Sequence, residues 1–582
     1  MAWTQVYDPV GNVVGSAMAA AIPLMVLFYM LAIRRAKGHV AALIGLAVAF
    51  LLAVALWGMP LGTAVSSVAY GVANGLFPII WIVVTAVWVY NMTVESGEFE
   101  IIKDSLARLT DDRRLQAIFI AFAFGSFLEG TAGFGTPVAI TAAMLAGIGF
   151  NPLYAAGLCL IANTAPVAFG AIGVPVIVAG QVSGYDPNLI AAIVGRQLPF
   201  LSVIVPLWLC VTMCGFKRSM EVLPAIAVSG ICFAASQFVF SNYHGPTLPD
   251  IMSAIVTIIG LVILLRFWKP AKIWRFEGEK PTELSSTRYT AGRIIRAWVP
   301  FIILAVMVFF WGLPQFKSVL DGLCGAIATK GFAWPMLDGM VNRTVPVAAA
   351  DTPYAAYFKF GWLSAGGTAI LLSGFFAVPF MPKYSFGRAV ACFFSTLRQL
   401  RYPILTIAAI LGLAFLMNYS GMSTTLGIGF TKTGSWFPFF APLLGWLGVF
   451  LTGSDTSSNA LFCGMQRSTA QAVGMPPELA VAVNSSGGVT GKMISPQSIS
   501  VATAATVSTR FSLIPENSTS PSREINAKGF TQQQELIFES IAAFFAALAW
   551  AWTIVLLTGG STPHFVAGSV MGGIACICTS LI

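Results

Sequence analysis

Charge is what this chain has least of. Of its 582 residues only 9% are charged, 57% are hydrophobic, and the mean hydropathy is +0.81, whereas a soluble domain carries roughly 25% charged residues. That shortage excludes an ordinary soluble enzyme. Histidine is scarcer still: the three present, His39, His244 and His564, lie near the ends of apolar runs, which argues against a buried histidine relay. The nine cysteines follow no metal-ligand spacing, and Cys576 and Cys578 sit in an apolar tail. They read as small core residues, and neither a metal nor a cofactor is expected. No polar stretch is longer than 269–296, too short for a soluble domain and poor support for a scaffold role. The net charge of +9 does not call for nucleic acid, because the basic residues fall in short loops between apolar runs, where the positive-inside rule accounts for them.

Apolar runs are abundant. Residues 13–33, 40–57 and 294–311 each reach the ~20 residues that cross a bilayer, so the chain reads as an all-α, polytopic membrane protein. The first run reads as a retained span, not a cleavable signal. Arg34, Arg35 and Lys37 follow it, which puts that loop in the cytoplasm and the N-terminus outside. Lys103 to Arg114, Lys217 and Arg218, Arg266 to Arg296, Lys383 to Arg401, and Arg510 to Lys528 then fall inside only if 115–150 and 436–474 enter and leave on one side, as re-entrant hairpins. This gives about thirteen spans plus two hairpins.

A long-period repeat organises these segments. Pro60 matches Pro382, Pro78-Ile79 matches Pro403-Ile404, Ser96-Gly97 matches Ser420-Gly421, and Glu129-Gly130-Thr131 matches Ser454-Asp455-Thr456. The offsets run from 321 (Asn163 to Asn484) to 326 (Glu129 to Asp455). The first copy starts on the cytoplasmic side and the second outside, so the copies are inverted. The expected plan is an N-terminal span at 1–37, a first repeat at 38–245 (hairpin 115–150, broken helix 152–180), connecting spans and linker at 246–360, and a second repeat at 361–582 (hairpin 436–474, broken helix 476–503).

Inverted repeats whose matching segments are broken by Gly, Pro and hydroxyl residues are the signature of a secondary transporter with a midplane site. Four segments are expected to converge: the tip at Glu129, Gly130, Thr131, Gly133 and Thr136; the break at Asn163-Thr164; the tip at Ser454, Asp455, Thr456, Ser457, Ser458 and Asn459; and the break at Asn484, Ser485, Ser486 and Gly488, extended by Lys492 and Gln497. Backbone N–H groups at half-helix starts beside hydroxyls and amides suit a small carboxylate. Plainer readings exist: the glycine-rich tracts serve close helix packing, the run 454–459 is a solvent loop, and the acids are structural ion-pair partners of Lys492. Lys492 is equally suited to the substrate carboxylate. An intramembrane acid is a functional candidate because burial penalises its charged form and lets it exchange a proton. Glu129, flanked by Phe127, Leu128 and glycines, is expected to be the main proton carrier, with Asp455, set among hydroxyl donors, in support. Arg196 reads as snorkelling to the outer surface. Glu539, near the end of a span, has no assignable role.

The strings FLEGTAGFGTPVAITAA, PLYAAGLCLIANTAPVAFGA, GVPVIVAGQVSG, VGRQLPF, GWLGVFLTGSDTSSNALF and NSSGGVTGKMISPQSI closely resemble the bacterial L-lactate permease family, along nearly the whole chain. The resemblance implies uptake of L-lactate, with D-lactate and glycolate as further substrates, by proton symport across the bacterial inner membrane. It also implies an elevator-like plan of inverted repeats with hairpins. The apolar segment at 558–582 is not required by the family pattern, which leaves a span at 563–582 open, as is a homodimer. Sodium-coupled transport of another small carboxylate is the nearest alternative. A channel, or a membrane-embedded enzyme using Glu129 and Asp455 as a carboxylate pair, is a more distant one; no buried histidine or metal spacing accompanies that pair.

Overall fold

The structure is a computed structural model that describes residues 2–276, 289–345 and 350–502, apart from 134 and 500. The loop 510–528, Glu539, His564, the tail 563–582 and residue 503 lie outside the described residues. Among those described, eight helices are long and apolar enough to span a bilayer, and nine if the bent pair Pro152–Ala162 and Val167–Ser183 counts as one. The count falls below thirteen partly because Gly366–Phe380 is short and because residues 503–582 lie outside the described residues.

The basic loops meet on one face. His39 stacks on Tyr402, Tyr384 donates to Glu95, and Arg293, already inside the helix Ala291–Gly312, pairs with Glu98 at 2.7 Å. Arg114 ties three loops together, pairing with Asp112 (2.7 Å) and Glu221 (2.8 Å) and donating to the carbonyls of Arg218 and Lys272. On the opposite face, Trp3–Thr4 pairs in parallel with Val341–Asn342, which pairs with Thr352–Pro353. Arg114 and Asp112 are fully buried, and breaking a buried pair costs about 3–5 kcal/mol. Arg114→Ala should therefore lower the melting temperature in detergent well beyond Lys217→Ala, a change at an exposed position.

The segments 115–150 and 436–474, expected to be hairpins, each contain helices joined at a glycine turn. In the first, an arm from Arg113 to Thr131, with a π-helical stretch at Ile118–Phe124, turns through Gly133 and Gly135 (φ 55° and 82°) into Thr136–Gly147. In the second, Phe437–Thr452 ends at left-handed Gly453 and Asp455–Val473 begins at once, with Ser454 as its N-cap accepting from Ser457 N at 3.2 Å. The polar run 454–459 is therefore a helix start and not a solvent loop.

The two breaks differ. Pro152–Ala162 stops at Asn163, and Pro166 three residues on cannot continue it. The chain then passes through Ala171 and Ile172 in left-handed backbone (φ 46° and 58°) before Gly173, strain of the kind held at functional sites. Asn484 to Gly488, expected to be a break, is instead continuous helix within Pro477–Ile494, and the chain leaves helix at Ser495, ahead of Pro496. The reason is packing. A methyl group at Gly487 would meet the carbonyl of Pro442 at 2.6 Å, and one at Gly488 would meet Asp455 Oδ1 at 2.7 Å, so the small residues let helices approach and do not unwind them.

Candidate functional site

The four segments converge around two buried acids. Glu129 lies in the last turn of the first arm, Gly125–Thr131. Its Oε1 accepts from Lys492 Nζ at 2.7 Å and its Oε2 from Asn163 Nδ2 at 2.9 Å. Those two contacts tie the first tip to the first break and to Pro477–Ile494. Glu129 is 3% exposed and Lys492 6%, so the pair is dry and charge-assisted.

Asp455, in the first turn of its helix, has the N-terminal end of the helix dipole in its favour. Its Oδ2 accepts from Ser485 Oγ at 2.6 Å and Asn459 Nδ2 at 3.3 Å. Asn459 also donates to the carbonyl of Pro175 at 3.0 Å and accepts from Asn484 Nδ2 at 2.9 Å. This links the second hairpin to the broken helix and to 477–494. Lys492 lies one helical turn past Gly488, whose close approach to Asp455 puts both acids within reach of one face of that helix.

Other expected site residues take humbler places. Thr131 and Thr164 bond carbonyls of their own helices, Phe127 at 2.9 Å and Ile161 at 2.7 Å. Ser458 bonds the carbonyl of Gly445 at 2.9 Å across the hairpin. Ser486 turns from the acids to Gln197 at 2.6 Å, and Gln497 packs at left-handed Gly453. Thr456 and Ser457 are buried in the first turn beside Asp455, and Thr136 opens the second arm of the first hairpin. Arg196 is exposed and bonds Asn242 at 2.9 Å, in keeping with snorkelling.

Sequence reasoning missed Asp250. It stands in the first turn of Pro249–Phe267, where an acid passes for an ordinary helix-start residue, yet it is 1% exposed. Among the described residues nothing hydrogen-bonds either of its oxygens. It packs on the residue next to Glu129: a methyl group at Gly130 would meet Asp250 Cβ at 2.8 Å. Only glycine permits that approach. Gln197 was missed because Arg196 beside it drew attention, and Gln466 because it follows an apolar stretch; Gln466 donates to Ala441 O (2.7 Å) and Asn484 Oδ1 (3.2 Å).

Chemically, the centre holds three buried carboxyls, Glu129, Asp250 and Asp455, and one buried cation, Lys492, among the described residues. A second anion entering the site competes with Glu129 for Lys492.

Comparison with known proteins places the chain among permeases. Residues 16–510 match the family model described as L-lactate permease, and residues 459–582 match a second, described as a protein of unknown function. The chain is 48% identical to the glycolate permease GlcA of Escherichia coli K12, over 96% of this chain and all of that one. It is 49% identical to the L-lactate permease of Bacillus subtilis, over 87% of this chain and 93% of the relative. The E. coli K12 L-lactate permease is 48% identical over 86% and 92%. Among solved structures, the Alcanivorax borkumensis YdaH transporter aligns with a TM-score of 0.37 and 13% identity, over 85% of this chain and 84% of that one.

Proposed function

The chain belongs to the L-lactate permease family, and we propose that it takes up L-lactate, with D-lactate and glycolate as further substrates, by proton symport across the bacterial inner membrane. One observation carries the coupling: the buried Glu129–Lys492 pair at 2.7 Å. While Glu129 is ionised it occupies Lys492. A proton on Glu129 frees the ammonium for the carboxylate of lactate, so proton and anion enter together and the net charge of the loaded site equals that of the empty one. Sodium has no comparable role, because Lys492 already fills the cation position beside Glu129. Asp455, held by Ser485 and Asn459, keeps the second tip in shape, and Asp250 passes the proton to Glu129.

We read the two halves as inverted repeats moving in an elevator-like way, with the N-terminus outside. Three paired features support the repetition. Left-handed Gly97 and Gly421 both open helices. Each half carries one hairpin. Proline starts both Pro152–Ala162 and Pro477–Ile494.

The test is uptake of radiolabelled lactate into proteoliposomes under an imposed pH gradient, with sodium present or replaced by choline. Saturable accumulation driven by the acid exterior, unchanged by choline, is expected. Dependence on sodium at fixed pH would overturn the proton assignment. Flux that never saturates would indicate a channel.

A further inference from the structure

A polar pocket open to the surface lies beside the N-terminal strand, away from the Glu129–Lys492 centre. Its lining includes Gln5, Arg343, Asn418, Ser423, Arg467 and Gln471. Two guanidinium groups and no carboxylate line it. Arg343 lies 4.4 Å over the ring of Tyr354, and its Nε has no hydrogen-bond partner among the described residues. Arg467 is steered by the carbonyl of Ser183 (2.6 Å) and the ring of Tyr185 (5.4 Å). Neither guanidinium makes an ion pair among the described residues, so the lining itself is cationic, although Asp338, Asp351 and Glu478 stand behind it. Ser423 adds a hydroxyl from the first turn of Met422–Thr431, whose N-terminus begins at left-handed Gly421 and favours an anion.

The cavity is also connected to the centre. Arg467 and Gly464 sit on the helix Asp455–Val473, and Cys463, between Gly464 and the centre, reaches Asn459 Oδ1 at 3.8 Å. Asn418, whose side chain bonds Val182 O at 3.1 Å, packs against Gly464 and separates the two sites.

We propose that this cavity is a capture site for the carboxylate of a small 2-hydroxy acid before it reaches the buried centre: the forked N–H groups of Arg343 and Arg467 hold the carboxylate, and Ser423 and Gln471 meet the hydroxyl. The inference rests on the transport reading above. A carrier that must gather a dilute anion gains from such a lining, whose attraction raises the rate of encounter and fades with salt.

The experiment uses the full chain in proteoliposomes, with lactate supplied on the Arg343 face. Arg343→Gln is expected to raise KM about five- to tenfold and to flatten the fall of kcat/KM with ionic strength. Gln471→Glu, at an exposed position, should do the same, and Gln471→Lys should lower KM. Unchanged KM and salt dependence in all three, with the wild type transporting normally, would overturn the capture site. A wild type that does not transport lactate defeats the functional reading instead. The cavity is then judged by calorimetric titration of lactate into the purified Lys492→Met chain, where weak binding removed by Arg343→Gln supports it and no binding overturns it.

Discussion

Lys492→Met should abolish lactate uptake and counterflow alike, weakening binding by at least about a hundredfold. The ammonium is the one buried cation at the centre among the described residues, and a charge-assisted bond to a carboxylate in a dry site is worth about 3 kcal/mol, a little over two powers of ten in affinity. Methionine keeps most of the volume and none of the charge. Glu129 then loses its partner at 2.7 Å, and a buried charge left unpaired costs several kcal/mol, so the variant's melting temperature should fall. Equilibrium binding, counterflow and a melting curve on the same preparation decide the matter. If the folded Lys492→Met chain still binds lactate at the centre with ordinary affinity, the lysine is a structural partner only.

How much of this could be read from residues alone depends on the range of the interaction. The turns inside 115–150 and 436–474 were legible because their signals are local: Gly133 and Gly135 turn one tip, and Gly453-Ser454 turns the other and caps its second arm. The pairing of Lys492 with Glu129, 363 residues away, was not, since no local pattern says which acid a lysine will find. The glycines at 487 and 488 misled for a related reason: their role is set by Pro442 and Asp455 on the facing hairpin, and the same residues in isolation read as a break. Asp250 stayed hidden because its burial depends on how its helix start is covered.

Glu129→Gln should abolish proton-driven accumulation while leaving exchange of internal for external lactate. Glutamine is a neutral isostere of the protonated acid. Lys492 is then permanently available to a substrate carboxylate, and the site binds lactate without needing a proton. Binding should accordingly lose its dependence on pH, and counterflow should persist at a rate within about tenfold of the wild type, whereas uptake against a gradient falls to background. The local view that few donors surround Glu129 is overtaken by Lys492 and Asn163 (2.9 Å), which arrive from other segments. They make the carboxylate a good partner while ionised, and therefore a group whose protonation changes what Lys492 can hold. Asp250→Asn separates the two acids. With the relay removed and the Glu129–Lys492 switch intact, gradient-driven uptake should slow and yet reach the same final accumulation. Asp455→Asn should differ from both, because Ser485 (2.6 Å) and Asn459 (3.3 Å) donate to one oxygen of that carboxylate, Oδ2, and an amide oxygen in its place accepts the same two bonds without the charge that strengthens them; lactate binding and exchange should fall together. Counterflow, gradient-driven uptake and the pH dependence of binding, measured side by side in the three variants, assign the roles. A Glu129→Gln chain that still concentrates lactate against its gradient would move the coupling step away from Glu129 and onto Asp250.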